Sequence, residues 1–205
     1  MPQFNNFLTL LASSSLSLSA GCSSSNYIPP QAQNIVIEKT TSTDHQEVWN
    51  GLVKNLSTSG ITVRALDNNN NRIKMMIKKT LPQHYVDCGS QWVMTDNTQT
   101  KTEINPILSS EYTKLEDEEL LQVVRQTGLH AYINIQVIPE GPLTRVSVDV
   151  DYEVFGKSKI YDSNKRFRYS EKIDYRLSSH TPYKADNISC VSKGVIESKV
   201  LEAVL

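Results

Sequence analysis

Residues 130–154 read HAYINIQVIPEGPLTRVSVDVDYEV, and their period is two. Ile133, Ile135 and Val137 fall on one side, with Asn134 and Gln136 on the other. After a turn at Pro139-Glu140-Gly141-Pro142, Val146, Val148, Val150, Tyr152 and Val154 alternate with Ser147, Asp149, Asp151 and Glu153. One apolar row and one polar row define strands with one face in a core and one in water. Residues 166–177 continue the pattern, with Phe167, Tyr169, Ile173 and Tyr175 on one face and Arg166, Arg168, Lys172 and Arg176 on the other. Pairing 146–154 with 166–177 sets the acidic and basic rows on one outer face. Cross-strand ion pairs there stabilise a sheet by about 0.2–1 kcal/mol each. A basic strand with interleaved aromatics also suits an anionic partner, so Arg166, Arg168, Lys172 and Arg176 form the candidate binding surface.

Working outward, the pattern predicts helices on both sides of these strands. Thr43 to Gly60 has a cap at Thr43 or Asp44, Gln46 or Glu47 three residues on, and Val48, Trp49, Leu52, Val53 and Leu56 at helical spacing. A short strand at 35–37 precedes it. A hairpin follows, turning through Asn68–Asn71, with Ile61, Val63 and Ala65 before the turn and Ile73, Met75 and Ile77 after it. Tyr85–Val93 reads as a strand around Cys88, and 96–106 as a loop. Residues 114–127 read as a second helix, with Thr113 as cap, acids Glu116–Glu119 in the first turn and Gly128 as the stop. Val191–Leu205 reads as a final helix. The expected class is therefore α+β: an antiparallel sheet with helices packed on one face, ordered β-α-β-β and then α-β-β-β-α. The body spans 35–205 as one domain, with a split near residue 105 as the alternative.

The chain has 205 residues and a net charge of -1, which argues against a nucleic-acid footprint over its whole surface. Its three cysteines are Cys22, Cys88 and Cys190. Residues 1–21 contain no Asp, Glu, Lys or Arg and have the size of a secretory signal peptide ending in small residues. Residues 22–34 are rich in Ser, Pro and Gln and read as a flexible tether.

Leu18-Ser19-Ala20-Gly21-Cys22 resembles the lipobox of bacterial envelope lipoproteins, with leucine one place earlier than usual. The resemblance implies acylation of the Cys22 thiol by palmitate-type chains, cleavage before Cys22, and anchorage to the membrane through that lipid. Ser23 in the following position implies outer-membrane delivery, facing the periplasm. An ordinary cleaved signal with an incidental cysteine, and a serine-rich tail, are the alternatives. In an exported chain Cys88 and Cys190 suggest one disulfide, closing a loop of about 100 residues; two buried thiols are the alternative. Residues 47–77, EVWNGLVKNLSTSGITVRALDNNNNRIKMMI, are similar to the helix-hairpin repeat of BamC-like lipoproteins of the β-barrel assembly machinery. That likeness rests on Trp49, Leu52, Leu56, Gly60, Val63 and Ile73 and bears on fold alone.

The residues supply no catalytic motif, no phosphate loop and no metal-ligand spacing. His45, His84, His130 and His180 are scattered. The expected function is a non-enzymatic binding or scaffolding component of an envelope assembly, with other envelope proteins as partners and neither cofactor nor metal. A carrier of a lipid or other apolar ligand, in a pocket lined by Trp49, Met75 and Tyr152, is the alternative. An enzyme with a site assembled from distant residues, near His84 or His130, is a third reading.

Overall fold

The computed structural model describes residues 27–58, 62–94, 101–185 and 187–204. The expected signal peptide at 1–21, the expected lipidation site Cys22 and the expected helix stop at Gly60 lie outside these residues.

In chain order the elements are β1 (Tyr27–Ile28), β2 (Glu38–Thr41), α1 (His45–Thr58), β3 (Thr62–Asp67), β4 (Arg72–Lys79), β5 (Val86–Asp87), β6 (Ser90–Met94) and β7 (Lys101–Ile104). They continue with β8 (Ser110–Glu116), β9 (Glu119–Glu140), β10 (Leu143–Tyr161), β11 (Phe167–Ser178), β12 (Tyr183–Ala185), β13 (Ile188–Ser192) and α2 (Val195–Glu202). Strands hold 59% of the described residues, so the α+β expectation is overturned: the chain is a β-rich fold built from three antiparallel sheets.

The largest sheet runs β11-β10-β9-β4-β3, with β2 added beside β10 and β8 beside β9. Its spine is the β9–β10 hairpin, of 22 and 19 residues, closed by Gly141-Pro142 with Gly141 at φ 62°. The pairing of β10 with β11 sets Val154 opposite Tyr175 and Glu153 opposite Arg176. Ile133, Ile135, Val148, Val150, Tyr152 and Val154 enter one buried cluster with Val48, Trp49, Leu52 and Leu56 of α1 and Ile196 and Val200 of α2. That cluster also takes residues from both sides of position 105, among them Val86 and Ile107. Burying a large apolar side chain stabilises by about 1.5–3 kcal/mol, so this cluster is the chief source of stability.

The residues read as the second helix, 114–127, are instead the end of β8, a two-residue turn and the start of β9. Asp117 and Glu118 both have positive φ, 50° and 64°, and Glu116 pairs with Glu119. Two consecutive left-handed residues make the turn whose twist suits a hairpin. The acids that look like a helix start are that turn. The helical spacing of Leu115, Leu120, Leu121 and Val124 is coincidental, because Leu121 and Val123 point inward at a period of two.

Smaller corrections follow the same physics. The first strand of the body is β2, three residues later than expected, pairing Lys39 with Val146. Gly89, at φ 69°, splits the strand expected over 85–93 into β5 and β6. Part of the expected loop at 96–106 is β7, paired with β6. The last helix is α2 alone, since Ile188–Ser192 forms β13 against β5 and β12. In the segment read as a tether, Tyr27 and Ile28 pair with Gln91 and Ser90. The Tyr27 hydroxyl also accepts from the Ser189 backbone N–H at 2.9 Å.

Asp44 caps α1, its carboxylate accepting from the N–H groups of Gln46 and Glu47 at 2.8 and 3.4 Å. Lys39 donates to the Val204 and Leu201 carbonyls at 2.7 and 3.3 Å, satisfying the open end of α2.

Candidate functional site

The predicted basic surface is present as a row on β11 but is not a free cation cluster. Arg168 pairs with Glu119 at 3.3 Å, Lys172 with Asp174 at 2.7 Å, and Arg176 with Glu153 at 3.3 Å and Asp174 at 3.4 Å. Arg166 precedes the strand; its backbone N–H donates to Asp162 Oδ1 at 2.9 Å. The hydrogen bond from Lys172 is the main reason the Asp174 carboxyl is held below its ordinary value. Such exposed pairs stabilise little, and they leave the face nearly neutral.

Beside that row, the outer face of the β9–β10 hairpin carries an aromatic group. Phe155 lies across Gly128, where a built Cβ would stand 2.7 Å from Phe155 Cζ; the glycine is what lets the ring lie flat on the strand. The His130 ring is 4.5 Å from Phe155 and 6.4 Å from Tyr132. Tyr132 and Phe155 remain 38% and 39% exposed. His130 Nδ1 lies 3.4 Å from Glu153. Beyond Tyr132, β4 places Arg72, Lys74 and Lys78 opposite Gln136, Asn134 and His130. On the other side β10 presents Asp149, Asp151 and Glu153. Burial, reinforced by the charge of Asp149, pushes the Asp151 carboxyl up. The face thus has an aromatic centre flanked by one basic and one acidic row.

The inner face carries a second site, at the level where the helix-covered core stops. Arg125 occupies an inward position of β9, in line with Leu121 and Val123, and is only 8% exposed. Its Nε donates to Ser158 Oγ at 3.3 Å, one terminal nitrogen to the Asn105 carbonyl at 3.0 Å, and the other to the Tyr112 hydroxyl at 2.6 Å. The guanidinium also lies 5.2 Å from the Tyr112 ring centre. No carboxylate is paired with it among the described residues. A polar pocket of about 280 Å³ opens onto Arg125, with Tyr27, Tyr175, Lys114 and Glu171 among its walls. Burial raises the Tyr112 and Tyr175 hydroxyls above their ordinary value, against the opposing charge of Arg125. Burial works to lower Lys114, but its hydrogen bonds to Glu116 and Tyr169 and the charge of Glu171 outweigh it, so its ammonium is raised.

The residues named for an apolar carrier are buried side chains of the core. Trp49, Met75 and Tyr152 are packed in the main core, and the Tyr152 hydroxyl donates to Glu197 at 2.7 Å. Glu197 is fully buried and accepts also from Ser179 at 2.7 Å and Ser192 at 3.2 Å. This knot ties β10, β13 and the start of α2. Burial first, and then the Glu197 charge, hold the Tyr152 hydroxyl far above its ordinary value. His84 ends a short 3-10 turn at 82–84. Cys88 and Cys190 are joined as a disulfide between the β5–β6 junction and β13.

Sequence reasoning missed Arg125, Ser158 and Tyr112, because a helix assigned to 114–127 hides the alternation. The signal was an arginine inside the row Leu121, Val123, Arg125, Thr127, Leu129, where every second residue should be apolar. Comparison of the chain with protein-family models, curated proteins and solved structures finds no match.

Proposed function

We propose that this protein is an outer-membrane lipoprotein, anchored through lipid on Cys22 and facing the periplasm, that acts as a binding or scaffolding component of an envelope assembly. The observation that carries the binding role is the outer face of the β9–β10 hairpin. Half-exposed aromatics at the centre of a rigid sheet, ringed by charge of both signs, suit recognition of another protein: the rings supply contact area and the rows supply orientation. The lipobox-like Leu18–Cys22 supports the anchor, and the disulfide agrees with an oxidising compartment.

Two measurements test this reading. Wild-type protein is expected in the outer-membrane fraction, with an acylated peptide beginning at Cys22, and Cys22→Ser in the soluble fraction; identical fractionation of the two defeats the anchor. A photo-crosslinking residue at Phe155 is expected to give a discrete protein adduct in cells, and the same residue at Lys157, two places along on the same outer face and off the aromatic group, a weaker one. No adduct at Phe155 defeats the surface.

A further inference from the structure

The pocket on the inner face carries an inference that does not depend on membrane attachment or on the outer face. We propose that Arg125 anchors a binding site for an oxyanion group, a carboxylate or a phosphate, borne by a small ligand. An arginine side chain offers five N–H donors in a fixed fork. Three of Arg125's are used, by Ser158, the Asn105 carbonyl and Tyr112. Two have no acceptor among the described residues, and the 280 Å³ pocket lies against the side chain.

A buried cation is costly to hold unless a counter-charge meets it. Here the three acceptors are neutral and come from three separate segments: the stretch after β7, β8 and β10. They fix the guanidinium before any ligand arrives, which lowers the entropy cost of binding. An oxyanion matches what is left over, because it supplies both the missing charge and paired acceptors.

The other charges near the pocket set its selectivity. Lys114 is held by Glu116 and lies 3.8 Å from Glu171. Lys172 is committed to Asp174 on the outer face. Glu171, half-exposed at the rim, repels an anion and limits the affinity.

The test is calorimetric titration of the purified protein with sodium phosphate and, separately, sodium acetate, at ionic strength held constant with sodium chloride. Saturable one-site binding by either salt is expected; which of the two binds more tightly identifies the oxyanion class. Arg125→Lys keeps a cation but loses the fork, and should weaken binding by about tenfold. Glu171→Gln, at a site that bears little on folding, should tighten it by about two- to threefold. Absence of saturable binding by both salts overturns the proposal, as does equal affinity in Arg125→Lys. Should Arg125→Lys fail to fold, unchanged affinity in Glu171→Gln overturns it.

Discussion

The β9–β10 hairpin is one continuous ladder with two unlike ends. From Leu129 to Val137, and from Val146 to Val154, its inward row is wholly apolar apart from the Tyr152 hydroxyl and is covered by α1 and α2. From Glu119 to Thr127, and from Gly156 to Tyr161, the inward row holds Leu121, Val123, Arg125, Ser158 and Ile160. Among the described residues no helix covers that end, and its apolar cluster is Leu121, Val123 and Ile160 with Tyr112 and Tyr169 against it. The backbone pairing is the same at both ends. What differs is the layer above: where helices supply apolar cover, the row is apolar, and where they stop, a buried cation held by two hydroxyls and a carbonyl takes its place. Gly128 and Gly156 sit at the change. A Cβ on Gly156 would stand 2.3 Å from the Gln126 carbonyl oxygen, so the strands approach there more closely than any side chain allows.

The largest effect should come from the covered end. Replacing Cys88 and Cys190 together by serine opens a crosslink spanning 102 residues. It should lower stability by about 4–5 kcal/mol in urea unfolding on the chain-entropy account. Amide exchange in 119–124 should change less than in β13 and α2; equal change would mean the two ends open as one. Next, Leu52→Ala in α1 should cost about 3 kcal/mol, because the core around it is closed on every side. Gly156→Ala should cost about 2 kcal/mol through the clash with Gln126, read by the same unfolding curve. Leu121→Ala, in the small cluster, should cost only about 1–1.5 kcal/mol, since partly exposed tyrosines can settle over the gap. A loss as large as that of Leu52→Ala would erase the distinction between the ends.

The smallest effects belong to the outer ion pairs. Arg176→Ala should change stability by no more than about 0.5 kcal/mol, less in high salt, because its side chain is 73% exposed. The Asp174 carboxyl should titrate below its ordinary value by NMR, with Lys172→Met moving it back up. A depressed carboxylate favours the folded state above its unfolded-state value and loses that contribution as pH falls through the folded one.

Much of the covered end was legible. Its period of two is unbroken, α1 has a capping residue and a full stripe, and Asn68–Asn71 marks its hairpin. The uncovered end was not, for a local reason. Arg125 interrupts the apolar row, Glu116–Glu119 imitate a helix start, and Asp117-Glu118 lacks the glycine that usually announces a two-residue turn. Leu115, Leu120, Leu121 and Val124 then fitted a helix as well as a strand. The Arg125 pocket was lost with that assignment, because Ser158 and Tyr112 acquire meaning only when β8, β9 and β10 lie side by side.

By itself the sequence determined the alternation of 130–154, the helix capped at Thr43 or Asp44, the acidic and basic outer rows and the lipobox-like cysteine, since each is written in neighbouring residues. Tertiary structure alone decided that 114–127 is a hairpin and that Arg125, Ser158 and Tyr112 form one site. Those outcomes depend on which segments are brought together, and pairing energies between distant strands outweigh the weak local preferences that a short window records.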